Sequence, residues 1–271
     1  MRDRYANLRQ GLVGAWCPSI AGSGFTLPDL SGYGHHGTLT NMASNDWVSS
    51  QYGRTLDFDG SDDSIRCASR SFLGLSQIAV SVWFLLRAES PRGLIGQWES
   101  NNFGWIINTS RFSAYDVGFF AFVDNSGVPN FPNIFTAGNA LAANAWNHLV
   151  INYKGTEATN ANRVEIFING QKQSGLLVNQ TSTGDFPATL SSASIQLWIG
   201  AQQNTNDRTV DGQIAESRIW NRSLTESEIR ILAQRPGIGL TTQRRTVAYY
   251  APPSFNAGRL RRQQLIGSGV Y

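Results

Sequence analysis

Trp146-Asn-His-Leu-Val-Ile-Asn-Tyr153, then Val164-Glu-Ile-Phe-Ile168, Asn169-Gly170 and Gln171-Lys-Gln173, decide the fold class. The first run alternates with period two, as a strand does when its faces meet different environments. Its core face is read as Leu149, Ile151 and Tyr153, with Trp146, His148, Val150 and Asn152 opposite. The second run is a hairpin, because Asn-Gly supplies the two positive-φ residues of a type I′ turn.

Working outward, the same grammar repeats. Ile78-Ala-Val-Ser-Val-Trp-Phe-Leu-Leu86 is long and apolar, as expected of a central strand. Gly93-Leu-Ile-Gly-Gln-Trp98, Gly104-Trp-Ile-Ile-Asn108 and Gly118-Phe-Phe-Ala-Phe-Val123 follow as strands. Arg54-Thr-Leu-Asp-Phe-Asp59 and Leu12–Trp16 precede them; Ser194-Ile-Gln-Leu-Trp-Ile-Gly200 and Gly212-Gln-Ile-Ala-Glu-Ser-Arg-Ile-Trp220 come after. Many short strands at this spacing predict a two-sheet sandwich. One helix is expected, opened by a Thr225/Glu228 capping box, striped by Ile229, Leu232 and Ala233, and stopped at Pro236-Gly237. Trp16, Trp83, Trp146, Trp198 and Trp220 sit within strands and are expected to fill the space between the sheets.

Composition agrees. Charged residues make up only 15% of the 271, against roughly 25% in an average domain, and glycines number 27. Such a balance suits short strands and tight turns. The net charge of +3 is unevenly spread: Glu228 is the last acid, and Arg230, Arg235, Arg244, Arg245, Arg259, Arg261 and Arg262 follow it. These arginines alternate with Gly, Pro, Tyr and Leu instead of lining a helix, so nucleic acid is not the expected partner. Met1-Arg-Asp-Arg-Tyr-Ala-Asn-Leu-Arg-Gln10 has charges and no apolar centre; no secretory leader is expected, and synthesis in a cytoplasm is. No apolar run approaches the roughly 20 residues of a membrane span. Cys17 and Cys67 read either as two small buried hydrophobes or as one bridge. The sequon at Asn108-Thr-Ser110 reads as a chance match.

Seven runs stand in a familiar order: Gly11-Leu-Val-Gly-Ala-Trp16, Asp29-Leu-Ser-Gly-Tyr-Gly-His-His-Gly-Thr38, Leu56-Asp-Phe-Asp-Gly60, Ala79-Val-Ser-Val-Trp83, Trp146-Asn-His-Leu-Val150, Val164 to Gly170 and Gly212 to Thr225. Over residues 11 to about 235 this order resembles the laminin-G-like jelly-roll family of the concanavalin-A-like lectin/glucanase superfamily. The resemblance implies an all-β, two-sheet antiparallel jelly-roll sandwich with one short C-terminal helix. The expected division is an N-terminal arm or first helical turn at 1–10, the sandwich at 11–236 and an extended basic arm at 237–271. The family fixes fold more than function.

A lectin-like domain, no leader and a basic arm together resemble bacteriophage virion proteins. The expected role is therefore a non-catalytic virion component, a capsid decoration or other surface-exposed particle protein. It would join neighbouring subunits, as a homo-oligomer or part of a larger assembly, through Arg244, Arg245, Tyr249, Tyr250, Arg259, Arg261, Arg262, Leu265 and Ile266. The alternative is a carbohydrate-binding lectin-like module for bacterial or algal polysaccharide.

No catalytic residues are expected. Glucanases of the superfamily carry Glu-x-Asp-x-x-Glu on one strand, because their chemistry needs two carboxylates a fixed distance apart. That string is missing here; Asp57 and Asp59 read as structural. His35, His36 and His148 form no triad pattern, and no phosphate loop or Cys/His metal cluster occurs. For calcium, which takes hard oxygen ligands, the resemblance points to Asp29 in its glycine-rich loop and to Glu216. Ala215 stands where relatives carry a further acid, and the alternative reading of Asp29 is that it caps its own turn. For glycan, the expected platforms are two polar loops between strands: Trp98, Asn101, Asn102 and Trp105, and Gln203, Asn204 and Asp207.

Overall fold

The computed structural model describes residues 5–67, 75–99, 102–121, 123–125, 128–179, 184–190, 196–202 and 208–240. It divides into a unit Met1–Thr241 and a stretch Thr242–Tyr271. Arg244, Arg245, Tyr249, Tyr250, Arg259, Arg261, Arg262, Leu265 and Ile266, expected to form the assembly arm, lie outside the described residues.

The first unit is a sandwich of two antiparallel sheets. The back sheet runs, in order, Gln171–Lys172, Val164–Ile168, Trp146–Lys154, Gln77–Leu86, Asp211–Trp220, Gly53–Asp59 and Trp47–Ser50. Leu12–Trp16 pairs with the far half of Asp211–Trp220. The front sheet runs Leu177–Val178, Asn133–Phe135, Val117–Ala121, Asn102–Thr109, Arg92–Glu99, Leu197–Ile199, Ser64–Cys67, Gly37–Thr40 and Thr26–Leu27.

Alternation sends one set of side chains between the sheets. Register places Leu149 opposite Val82 and Ile151 opposite Val80. These join Phe84, Ile107, Phe119, Ile134 and Tyr153 in the principal core. The expected core face of Trp146–Lys154 is the observed one. Cys17 and Cys67 are both buried and unbridged.

The opposite face of the back sheet is buried as well. Helix Glu226–Leu232 lies over it, and Ile229 and Leu232 pack with Leu8, Ala79, Val150, Phe167 and Trp220. Full burial of each such aliphatic side chain is worth roughly 1.5–3 kcal/mol. The Thr225/Glu228 capping box forms as expected. The turn into the helix is clamped by Asn152, whose amide donates to Leu224 O and whose Oδ1 accepts from Leu224 N.

This second layer corrects three expectations. Of the five tryptophans assigned between the sheets, Trp16 is there. Trp220 is under the helix layer, Trp83 Nε1 donates to Leu232 O, Trp146 is half-buried with its ring edge-on to Tyr52 at 5.5 Å, and Trp198 is outside both clusters. Of the two readings of the N-terminus, residues 5–10 take the helical turn, at Ala6–Arg9, and not the free arm: Leu8 is buried, and Trp220 Nε1 donates to its carbonyl. Residues 237–240 also belong to the sandwich, since Ile238 is buried in the same cluster and its carbonyl accepts from Arg218 Nη1.

Candidate functional site

The outer face of the front sheet carries no covering helix among the described residues, yet its strands are apolar there too. Trp105 and Ile107 of Asn102–Thr109 face the core, which turns Ile106 and Asn108 outward. Val117, Phe119 and Ala121 face inward, which turns Phe120 outward. Phe120, Phe135 and Phe112 interlock edge-to-face and tilted at centroid separations of 5.1, 4.8 and 6.0 Å, the arrangement that ring quadrupoles favour.

Trp98 reaches this cluster by ordinary alternation, since Ile95 and Gln97 face inward, and its strand breaks step just beyond that point. The pairing of Arg92–Glu99 with Asn102–Thr109 shifts between Gln97 and Glu99; Gln97 stays buried while the next residue turns out. The partner strand admits this only with a glycine. A Cβ on Gly104 would lie 1.8 Å from Gln97 O. Trp98 then packs against Phe131 at 5.3 Å and Phe120 at 6.5 Å.

Between these rings lies a cavity of about 160 Å³. Trp98, Phe120, Phe131 and Ile106 form its apolar wall; Asn108, Gln202, Arg111 and Arg208 supply the polar groups. Arg111 is positioned by a buried carboxylate: Asp116 accepts from the backbone N–H groups of Arg111, Phe112 and Ser113 at 2.7, 2.9 and 2.8 Å. Arg208 is positioned by the closed base of its loop. Ala201 bridges Thr209, and Arg208 Nη1 donates to Gln202 Oε1 at 2.9 Å. Asn108 is 3% exposed, and its Oδ1 has no hydrogen-bond donor. A buried acceptor left unmade costs about 1–3 kcal/mol.

The structure sorts the residues expected from sequence. Trp98 is in the cavity wall, and the strands carrying the two expected glycan loops converge there. Asn102 opens its strand opposite Glu99; Asn101, Gln203, Asn204 and Asp207 lie outside the described residues. Trp105 is not a ligand platform: it is wholly buried between the sheets, stacked on Phe119 at 6.1 Å. Asn108, Arg111, Gln202 and Arg208 had no motif to mark them. The one available signal was the doubly apolar character of Trp105-Ile-Ile and Gly118-Phe-Phe, which asks for cover on both faces.

The calcium reading is also reassigned. Asp29 Oδ1 accepts from Ala15 N and Ser31 N, and Oδ2 from Ser31 Oγ and His35 N. That carboxylate caps its own turn. Glu216 is fully buried with Arg218, 2.6 Å from its Nη2, and accepts from Gly237 N. A guanidinium already occupies the cation's place, so these two residues do not fit a metal site. Asp57 pairs with Arg87, which also binds Asp211 at 2.8 Å. Asp59, Asp62 and Asp63 offer one oxygen each within 4.8 Å of one another. Burial, reinforced by the neighbouring carboxylates, raises the Asp63 carboxyl to about 6, against the hydrogen bond from Asp59 N. His148 is buried with Nε2 2.9 Å from Ser81 Oγ, and desolvation with the nearby Arg218 charge pushes it down to about 3.

A two-sheet jelly roll with one face roofed by a helix and the other holding a small aromatic cavity has the concanavalin A-like architecture. The matching family model, described as the concanavalin A-like lectin/glucanases superfamily, covers residues 59–230. The chain belongs to that superfamily, in its laminin-G type 3 branch. No curated protein matches the chain. Among solved structures it is similar to the binding domain of Paraclostridial Mosquitocidal Protein 1, with 17% identity, 83% of this chain, 52% of that one and a TM-score of 0.56. Domain 4 of AbnA, a GH43 extracellular arabinanase from Geobacillus stearothermophilus solved with arabinotriose, matches with 17% identity, 82% of this chain, 98% of that one and a TM-score of 0.53. The receptor binding domain of botulinum neurotoxin mosaic serotype C/D gives 15%, 83%, 51% and 0.57. The chain spans about half the length of the two toxin domains.

Proposed function

We propose that this protein is a non-catalytic saccharide-binding module whose site is the outer-face cavity of the front sheet. The observation that carries the reading is the pairing of Trp98 and Phe131 with the buried, donorless Oδ1 of Asn108. A sugar presents apolar C–H faces and hydroxyl edges, and this wall offers a partner to each. Pockets for drug-sized ligands run to roughly 300 Å³ and above; about 160 Å³ suits one ring or the end of a longer chain. Among the described residues the cavity lining is aromatic, aliphatic, amide and guanidinium, without the paired carboxylates that glycoside hydrolysis uses. The arabinotriose-bound AbnA domain supports the class of ligand.

The reading is tested by screening the protein against bacterial and algal oligosaccharides. Trp98→Ala is expected to weaken binding at least tenfold with an unchanged melting temperature, and reducing-sugar release is expected to stay at background. Binding unaffected by Trp98→Ala would remove the site.

A second reading rests on the C-terminal asymmetry. Beyond Glu228 the chain carries arginines and no acid, which favours attachment to acidic neighbours. On this reading the module is a surface component of a bacteriophage particle and Thr242–Tyr271 its anchor.

A further inference from the structure

We infer that Asp116 is the positioning residue of this cavity: it holds the Ser110–Asp116 loop in a strained conformation, so that the site is formed before a saccharide arrives. The inference rests on the saccharide reading above and adds how the site is kept in shape. The loop joins strand Asn102–Thr109 to strand Val117–Ala121. Its Arg111 lines the cavity, and its Phe112 packs on Phe120 of the cavity wall and on Phe135.

Two observations of different kinds meet in this loop. The first is the carboxylate. Asp116 is fully buried, with Oδ1 accepting from Arg111 N at 2.7 Å and Oδ2 from Phe112 N and Ser113 N at 2.9 and 2.8 Å. Its backbone closes the same ring, since Ser110 N donates to Asp116 O and Asp116 N to Ser113 O. The second is the backbone. Ser110 and Tyr115 stand at φ of 49° and 50°, the left-handed region that a Cβ disfavours. Among the described residues, the other five non-glycine positions with positive φ are all asparagine, a residue that tolerates it.

A turn needed only to join two strands would take glycine or asparagine at such positions. Strained residues persist where the surrounding contacts over-determine them, and they gather at ligand sites. Those contacts are present here: Tyr115 N donates to Ser110 Oγ, Leu141 N to Tyr115 O and Asn139 N to Ala114 O. A loop fixed in this way loses little freedom on binding, so its ordering is settled in folding and does not weaken affinity. Without the buried carboxylate, three N–H groups lose their shared acceptor and the two left-handed residues can relax.

The test uses the full chain, with arabinotriose and galactotetraose as probes and the wider screen supplying one if neither binds. Affinity is read by calorimetry, and loop order by hydrogen exchange of the ligand-free protein. Asp116→Asn keeps the size but replaces one of the two accepting oxygens with an N–H donor. It is expected to speed exchange at Arg111, Phe112 and Ser113 and to weaken binding by the same factor, roughly tenfold, because only molecules with the loop in place can bind. Thr136→Val is the control: it removes the buried acceptor of Val117 N, next along the chain, and leaves the carboxylate alone. It should lower the melting temperature without moving either readout. Adding Ser110→Gly to Asp116→Asn should recover part of the lost affinity, since glycine holds the left-handed backbone unaided. If Asp116→Asn does not fold, Ser110→Ala, which removes only the acceptor of Tyr115 N, is expected to show the same paired loss on a smaller scale. Binding unchanged in whichever of these folds, or lowered equally by Thr136→Val, would overturn the inference and leave the saccharide reading standing. A glycine that recovers nothing would overturn it too. If no saccharide of the wider screen binds the wild-type chain, the parent reading falls and this one with it.

Discussion

His148 shows how one side chain records the layering of the molecule. It stands on a strand whose neighbours on either side, Asn147 and Leu149, are also wholly buried. A histidine there stays neutral: burial, with the Arg218 charge nearby, pushes its pKa down to about 3. In the unfolded chain the same ring protonates near 6.5. Below 6.5 the unfolded state therefore binds the extra proton, and stability falls as pH falls, by up to about 1.4 kcal/mol per pH unit. Asp63 acts with the opposite sign, because its raised carboxyl takes up its proton earlier in the folded state. The two trends overlap, so the comparison must be between variants. His148→Gln, which keeps a hydrogen-bonding partner for Ser81, is expected to gain about 2 kcal/mol on wild type between pH 7.5 and pH 5 in urea melts. Parallel stability profiles for the two proteins would refute the assignment. The alternation around His148 was legible in the sequence, and so was its placement in a sheet. That both faces would be buried was not, since period two marks only that the faces differ.

At the scale of elements, the hairpin of Arg92–Glu99 with Asn102–Thr109 makes the site. It must bring Trp98 to the outer face while Gln97 and Trp105 stay inside, and Gly104 permits this by letting the two backbones close up. Any side chain there would strike Gln97 O. Gly104→Ala is expected to destabilise the protein by roughly 2–4 kcal/mol, in line with a forced backbone shift in a packed sheet. It should also quench or shift the Trp98 environment, read against a Trp98→Phe background by tryptophan fluorescence. A neutral substitution would mean the hairpin has slack that the register does not suggest. The strands themselves were readable, and Trp98 was picked out as a platform. Trp105 was assigned to the same platform and is instead a core residue, because in a strand apolar on both faces alternation does not say which face is inside. Arg111 and Arg208 were invisible for a different reason. Each is positioned by hydrogen bonds to a buried side chain in its own loop, Asp116 for the first and Gln202 for the second, and no strand or helix period encodes such contacts.

For the whole molecule, the sandwich was predictable from the rhythm of strands and turns, and the helix from its cap and stripe. Its boundaries were harder. Residues 5–10 and 237–240 look like tails in the sequence, yet Leu8 and Ile238 are buried together with the helix. Short polar segments with one anchoring hydrophobe give no periodic signal. The practical boundary therefore falls at Thr241. A chain ending there is expected to fold with the melting temperature of the full protein. If Thr242–Tyr271 is the anchor of a particle component, the shortened chain will bind its saccharide normally but fail to co-sediment with assembled particles. Incorporation at the normal level would sink that role.

Arg9 Nε donates to Gly239 O at 3.1 Å, and Gly239 packs on Tyr5. Both ends of the described chain thus emerge side by side from the helix-roofed side, while the cavity opens from the opposite sheet. The domain consequently has a polarity, a tethered back and a presenting front. Within the sandwich, the described ends and the aromatic cavity therefore belong to opposite faces.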